Sequence, residues 1–180
     1  MTVLEIVCSA IKILGDNDLY NYLKDGSNNN SFYENEKSLL LIAYNQTITQ
    51  VISYYPLKFQ EVLSPNNGAV EFKEFKYNPY KIISVKTTGD YDIYPTKIVA
   101  DSDIDVVYYY MPKNQEYNEV NVFDETIITP LTISYGVLSE YLTYKGRYQE
   151  SVMFFDKFVN ALKDLTKNYK IKRLKSREWF

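Results

Sequence analysis

Apolar residues recur at helical spacing near both ends of the chain and at alternate positions through its middle. The first helix opens on Thr2, Val3, Leu4 and Glu5, a capping-box pattern in which each polar side chain takes the other's backbone donor. Val3, Ile6, Val7, Ala10, Ile11 and Leu14 follow on one face, and Gly15 is placed to end the helix. A short helical turn is predicted at Asp18–Lys24, then a loop of Gly, Ser and Asn. A long helix is predicted from about Asn35 to Tyr55, with Leu41, Tyr44, Ile48, Ile52 and Tyr55 as its stripe and Pro56 as its stop. The β-branched stretch Thr47–Ile52 also suits a strand, and continuity with the helical pattern before it favours helix.

Between Ala69 and Pro112 the period becomes two. Val70 with Phe72, Ile82–Val85, Ile93 and Val106–Tyr110 are predicted strands, parted by turns at Asn78-Pro79, Thr88–Asp90 and Asp101–Asp103. They make one small antiparallel sheet, and Pro95 within a strand marks an edge or a bulge. Lys113–Asn121 is polar and predicted to be an exposed loop. Helix returns near Asp124 with Leu131, Tyr135, Leu138 and Leu142 on one face, and breaks at Lys145-Gly146-Arg147. The final helix carries Tyr148, Val152, Phe155, Val159 and Leu162 as its apolar stripe. So short a link makes the last two helices an antiparallel hairpin.

The predicted fold is α+β and mainly α, a helical bundle of N- and C-terminal helices with an inserted small antiparallel β-sheet. Its parts are 1–63 (N-terminal helices), 64–121 (β insert), 122–169 (C-terminal hairpin) and 170–180 (basic extended tail).

Composition narrows the chemistry. There is no His and a single Cys, Cys8, which removes most hydrolase, metalloenzyme and Cys-His mechanisms. The 23 Asp and Glu show no special spacing, so the chain is expected not to be an enzyme and to need no cofactor. One Cys allows no intrachain disulfide framework and suits a reducing compartment. No basic leader precedes an apolar run, and no run approaches the roughly 20 residues that span a bilayer. Tyrosine occurs 19 times, which suits half-buried surfaces and interfaces and also follows from A/T-rich codon usage.

The net charge of −3 conceals an asymmetry, because Lys163–Phe180 holds seven Lys or Arg against two acids. Lys170, Lys172, Arg173, Lys175 and Arg177 lead to the only Trp, Trp179, beside Phe180. These seven are the candidate docking residues of the tail, with Trp179 and Phe180 as anchors. For the cations three readings stand: acidic protein, DNA or plain solvation. Tyr108, Tyr109 and Tyr110 close a strand, their rings alternating between faces, and are candidate subunit contacts. Asn45 in mid-helix is either solvated or a buried hydrogen-bonding group, and Gly146 serves the turn.

Three segments carry a likeness to a family. Leu39–Leu57, with Asn45 in mid-helix and a Tyr55-Pro56-Leu57 exit, resembles the second helix of phage head-tail connector (adaptor) proteins. Tyr135–Glu150, with its Glu140-Tyr141 pair before Gly146-Arg147, resembles that family's C-terminal hairpin. Leu174–Trp179 is similar to its basic tail ending in Arg-Arg-Trp, except that Glu178 stands where a second Arg is usual. The resemblance implies a ring, usually of twelve copies, beneath the portal protein in the virion neck, assembled in the host cytoplasm. The ring extends the DNA channel without sequence-specific binding, and docks the next neck or tail protein (a stopper or tail terminator). Competing readings are another neck or baseplate protein, and a nucleic-acid-binding regulator with the tail as its arm. An acidic pI of 5.1 and the lack of a basic helix-turn-helix stand against the regulator.

Overall fold

The computed structural model describes residues 1–25 and 31–170, with side chains described as far as Leu165. These residues form an α+β protein of five α-helices and two three-stranded antiparallel sheets. They divide into two compact units, Met1–Tyr54 together with the chain from Asn114 onward, and Tyr55–Lys113.

In the first unit, helix α1 (Val3–Leu14) has the predicted ends. Thr2 Oγ1 accepts from Glu5 N at 3.3 Å, Glu5 Oε2 accepts from Thr2 N at 2.7 Å, and Gly15 closes the helix at φ 83°. A helix start leaves four N–H groups without intrahelical partners. Here Val3 and Leu4 donate theirs to the carbonyls of Glu119 and Tyr117, at 3.0 and 3.1 Å. The segment read as an exposed loop is therefore tied to α1. Its backbone is irregular, but Gln115 and Asn121 are buried.

Helix α2 (Asn17–Asp25) follows, and helix α3 (Ser31–Tyr54) supplies what this segment needs. The Tyr44 hydroxyl lies 2.9 Å from both Gln115 Oε1 and Asn121 Oδ1. Asn45 Oδ1 accepts from Gln115 N at 2.7 Å, and its Nδ2 donates to Gln115 O at 3.1 Å and Leu41 O at 3.0 Å. Gln115 Nε2 donates to Val120 O at 2.6 Å. Irregular backbone is tolerated inside a protein only with such partners. Asn45 is thus a half-buried staple, and the polar composition that suggested a solvated loop supplies the partners. The buried stripe of α3 runs through Leu40, Ala43, Tyr44, Thr47, Ile48, Val51 and Ile52, with Leu41 at its margin.

Helix α4 (Pro130–Tyr144) starts later than expected. Asp124 instead closes a turn, its carboxylate accepting from Thr126 N at 2.8 Å and Thr126 Oγ1 at 2.7 Å. Those bonds hold its carboxyl below the usual range. Pro130 then disfavours helix at the residue before it, so Thr129 is extended and its Oγ1 accepts from Thr132 N at 3.3 Å. Leu131, placed on the predicted stripe, is exposed in this first turn.

Helices α1, α3 and α5 (Tyr148–Lys170) all pack on α4. A helix surrounded in this way needs small residues where neighbours cross. A Cβ at Gly136 would stand 2.3 Å from Thr47 Cγ2 on α3 and 3.0 Å from Phe158 Cε2 on α5. Ser134 Oγ donates to Ile6 O at 3.2 Å, and Ser151 Oγ donates to Ser139 O at 2.9 Å. At the top of α4, Arg147 N donates to Leu142 O at 2.9 Å and Gly146 N to Thr143 O at 3.0 Å. With Gly146 at φ 71°, this is a Schellman ending, and the predicted hairpin follows directly.

The second unit contains β1 (Lys58–Leu63), β2 (Ala69–Glu71), a 3-10 turn (Phe72–Glu74), β3 (Pro79–Lys86), β4 (Tyr91–Ile93), β5 (Lys97–Ala100) and β6 (Ile104–Tyr110). Strand β1 corrects the expectation that 1–63 is helical. After Pro56 the side chains alternate, Phe59, Glu61 and Leu63 half-buried and Lys58, Gln60 and Val62 exposed, a period of two inside the span assigned to helices. Two sheets replace the expected one, ordered β1-β6-β3 and β2-β5-β4. Pro95 lies in the β4–β5 turn rather than within a strand, where Tyr94 N donates to Lys97 O at 2.9 Å. The unit ends at Lys113, not Asn121, because the following segment belongs to α1 and α3. Val70, Ile98, Ala100, Ile104, Val106 and Tyr108 share one core with Phe75.

Replacing Gly136 with Ala is expected to cost about 1–3 kcal/mol, the range for overpacking a tight core. A urea midpoint unchanged from wild type would show that the three helices are not in such close contact. A second prediction concerns alkali. Burial pushes the hydroxyls of Tyr44, Tyr117 and Tyr141 well above the usual tyrosine range. Unfolded tyrosines ionise near about pH 10 while these stay protonated in the fold, so their contribution is complete below that pH and falls above it. Urea titrations between pH 9 and 11 should show declining stability, with a shallower decline in Tyr44→Phe. Equal slopes for both proteins would remove Tyr44 from the account.

Candidate assembly surfaces

Helix α5 carries two apolar faces, and α4 selects between them. Ser151, Phe154, Phe158 and Leu162 are buried. Their rings meet Gly136 and Tyr135, Phe154 stacking on Tyr135 at 6.2 Å between centroids. The apolar stripe read from the sequence is turned out: Tyr148 is 67% exposed, Val152 58% and Phe155 43%, with Val159 half-buried. Only Leu162 of that stripe is in the core. Phe154 and Phe155 are neighbours, so two stripes of acceptable spacing run along the helix about 100° apart. The decision rests on α4, where Ser139 and Gly136 make room for the Ser151–Phe158 face.

Three turns of helix thus present apolar side chains to solvent on one side. At the start of that helix Arg147 grips Glu150 with two bonds, Nε to Oε1 at 2.8 Å and a terminal nitrogen to Oε2 at 2.6 Å. The guanidinium holds the Glu150 carboxyl below the usual carboxylate range. Both side chains are exposed, so this pair orients the first turn more than it stabilises the fold.

The three candidate tyrosines of β6 separate. Tyr108 is fully buried and leaves the list of contact residues: its hydroxyl donates to Glu61 Oε1 at 2.6 Å and accepts from Tyr77 N at 3.3 Å. Tyr110 lies on the same side, stacked on Tyr77 at 4.2 Å. Tyr109 points the other way, half-buried and stacked on the exposed Tyr80 at 6.2 Å. The alternation of rings was legible in the sequence, and Tyr109 alone stays available on the face away from the core. Lys172, Arg173, Lys175, Arg177, Trp179 and Phe180 lie outside the described residues, and Lys170 ends α5 with its side chain outside them.

Sequence reasoning gave no role to Glu36, a buried carboxylate that accepts from the Tyr141 hydroxyl and, at 2.7 Å, from Lys145 Nζ. It ties α3 to the end of α4, and with both donors in place it is a structural group. The one signal was a charged residue on the helical spacing of Leu40 and Ala43. Cys8 is half-buried, and burial pushes its thiol above the usual range. Among the described residues no group of three or more His, Cys, Asp and Glu is placed to hold a metal ion. No helix among them is long and apolar enough to cross a membrane. Scans against models of protein families and against curated proteins find no match to this chain.

Phe154→Ala is expected to lose about 3–5 kcal/mol, as for a buried aromatic, whereas Phe155→Ala should change stability by well under 1 kcal/mol. Chemical denaturation of both variants checks the assignment. Comparable losses would mean that the outer face is covered within the monomer.

Proposed function

We propose that this chain is a head-tail connector of a phage virion. Its helical unit acts as a bundle, copies of it form a ring below the portal, and that ring extends the DNA channel and docks the next neck protein. The observation that carries the reading is the second apolar face of α5. A monomer leaves Tyr148, Val152 and Phe155 in water, and exposed apolar stripes of this kind mark association sites. A ring needs each copy to offer two different surfaces to identical neighbours, and a helix with one face in its own core and one turned out supplies one of them. Tyr109 with Tyr80 on the second unit supplies a separate aromatic contact surface. The resemblance of Leu39–Leu57 and Tyr135–Glu150 to the connector family supports the same reading, and so does the basic tail, whose Trp179 and Phe180 serve as the portal anchor. The role is architectural, with no reaction and no cofactor, and its place is the virion neck.

Mixing the purified chain with its cognate portal ring and weighing the complex tests this. Full-length protein is expected to load in many copies, and a chain ending at Lys167 to load poorly. Equal loading would move the anchor away from the tail, and no loading by either would end the connector reading.

A further inference from the structure

Strand β4 is the open edge of its sheet. In the order β2-β5-β4 it has one neighbour, β5, with Tyr91 opposite Ala100, Asp92 opposite Val99 and Ile93 opposite Ile98. Tyr94 N donates to Lys97 O. Bonded and non-bonded pairs alternate along an antiparallel ladder, so Asp92 also faces β5 while the N–H and C=O of Tyr91 and Ile93 point away from it. That leaves two donors and two acceptors in line along the edge. Tyr91 and Ile93 lie on the sheet face of the buried Ile98 and Ala100, yet are 43% and 50% exposed. The core face of the sheet therefore continues past its cover.

Charge decides what suits this edge. Asp92 is exposed on it, Asp90 precedes it and Asp101 follows the residue opposite Tyr91, and from Asp90 to Asp105 there are five aspartates and one lysine. Two β4 strands pairing with each other would set Asp92 against Asp92, which is unfavourable. An extended segment with cations on one face and an apolar residue on the other fits both the carboxylates and the Tyr91–Ile93 surface. This chain contains such a segment in Arg173, Leu174 and Lys175.

We propose that residues 172–175 of one copy add as a strand to the β4 edge of the next copy. Leu174 lies over Tyr91 and Ile93, Arg173 and Lys175 lie beside Asp92, and the backbone completes its ladder with the outward groups of Tyr91 and Ile93. The inference deepens the ring reading and rests on it, naming how one copy grips the next. Trp179 reaches about 13 Å beyond Lys175 in an extended chain, which leaves the terminal pair free for the portal.

Sedimentation of the full-length chain at low salt tests this, through a charge swap. Asp92→Lys, and separately the double variant Arg173→Glu with Lys175→Glu, should each weaken self-association about tenfold or more. Mixed together, the two should restore association with the variants in alternation, since the reversed tail fits the reversed edge and the unchanged tail fits the unchanged edge. Ile93→Pro removes an outward N–H without touching the β4–β5 ladder and should weaken association as well. Undiminished association in the single variants, or no recovery on mixing, would overturn the proposal. So would a wild-type chain that stays monomeric at every concentration reached. Portal loading of the same proteins separates the two readings. Normal loading by variants that associate like wild type removes the strand and keeps the connector. A successful charge swap in a chain that never loads does the reverse.

Discussion

Helix α4 is enclosed by α1, α3 and α5, and the small residues that let them close on it govern the helical unit. Gly136 leaves no room for a methyl group between Thr47 and Phe158. Ser134 and Ser139 face α1 and α5, each through a hydroxyl or carbonyl that meets a partner. This contact fixes which side of α5 is internal, and so which of its aromatic rings meet water. The outer face is thus a consequence of the way α4 packs.

The ends of elements were the most legible part of the sequence. The Thr2–Glu5 box, Gly15 and Gly146 act through local backbone chemistry, so neighbouring residues suffice to place them. The face of α5 was not legible, because Phe154 and Phe155 begin two stripes of equal quality and the choice belongs to residues on another helix. In strand β1 Phe59, Glu61 and Leu63 alternate with Lys58, Gln60 and Val62, but six residues directly after a long helix make too short a pattern to stand out beside it. The 115–121 segment failed for a different reason. Its polarity was read as hydration, whereas Gln115 and Asn121 spend it on Tyr44, Asn45 and the chain itself. Among the candidate residues, the alternation of Tyr108–Tyr110 gave the faces correctly, and only the burial of Tyr108 required the fold.

The two candidate surfaces differ in kind. The outer side of α5 is broad, apolar and carried on a regular helix, which suits contact with another packed surface. The β4 edge is narrow and directional, with backbone groups that demand one geometry and carboxylates that demand one sign of charge. The first surface suits a packed partner and the second an extended one.

The bonds from Val3 and Leu4 to Glu119 and Tyr117 join positions more than 110 residues apart. On a ribosome, α1 emerges long before the carbonyls that complete its first turn. The β unit between them is contiguous and has its own core, so it is free to fold while α1 and α3 wait. Domains generally fold as they are synthesised, the earlier before the later; here the inserted unit is complete in sequence before the one that encloses it. The helical unit closes only after α4 and α5 have followed. The outer side of α5 is therefore defined only by the closure of a unit whose parts lie on both sides of the β unit in sequence.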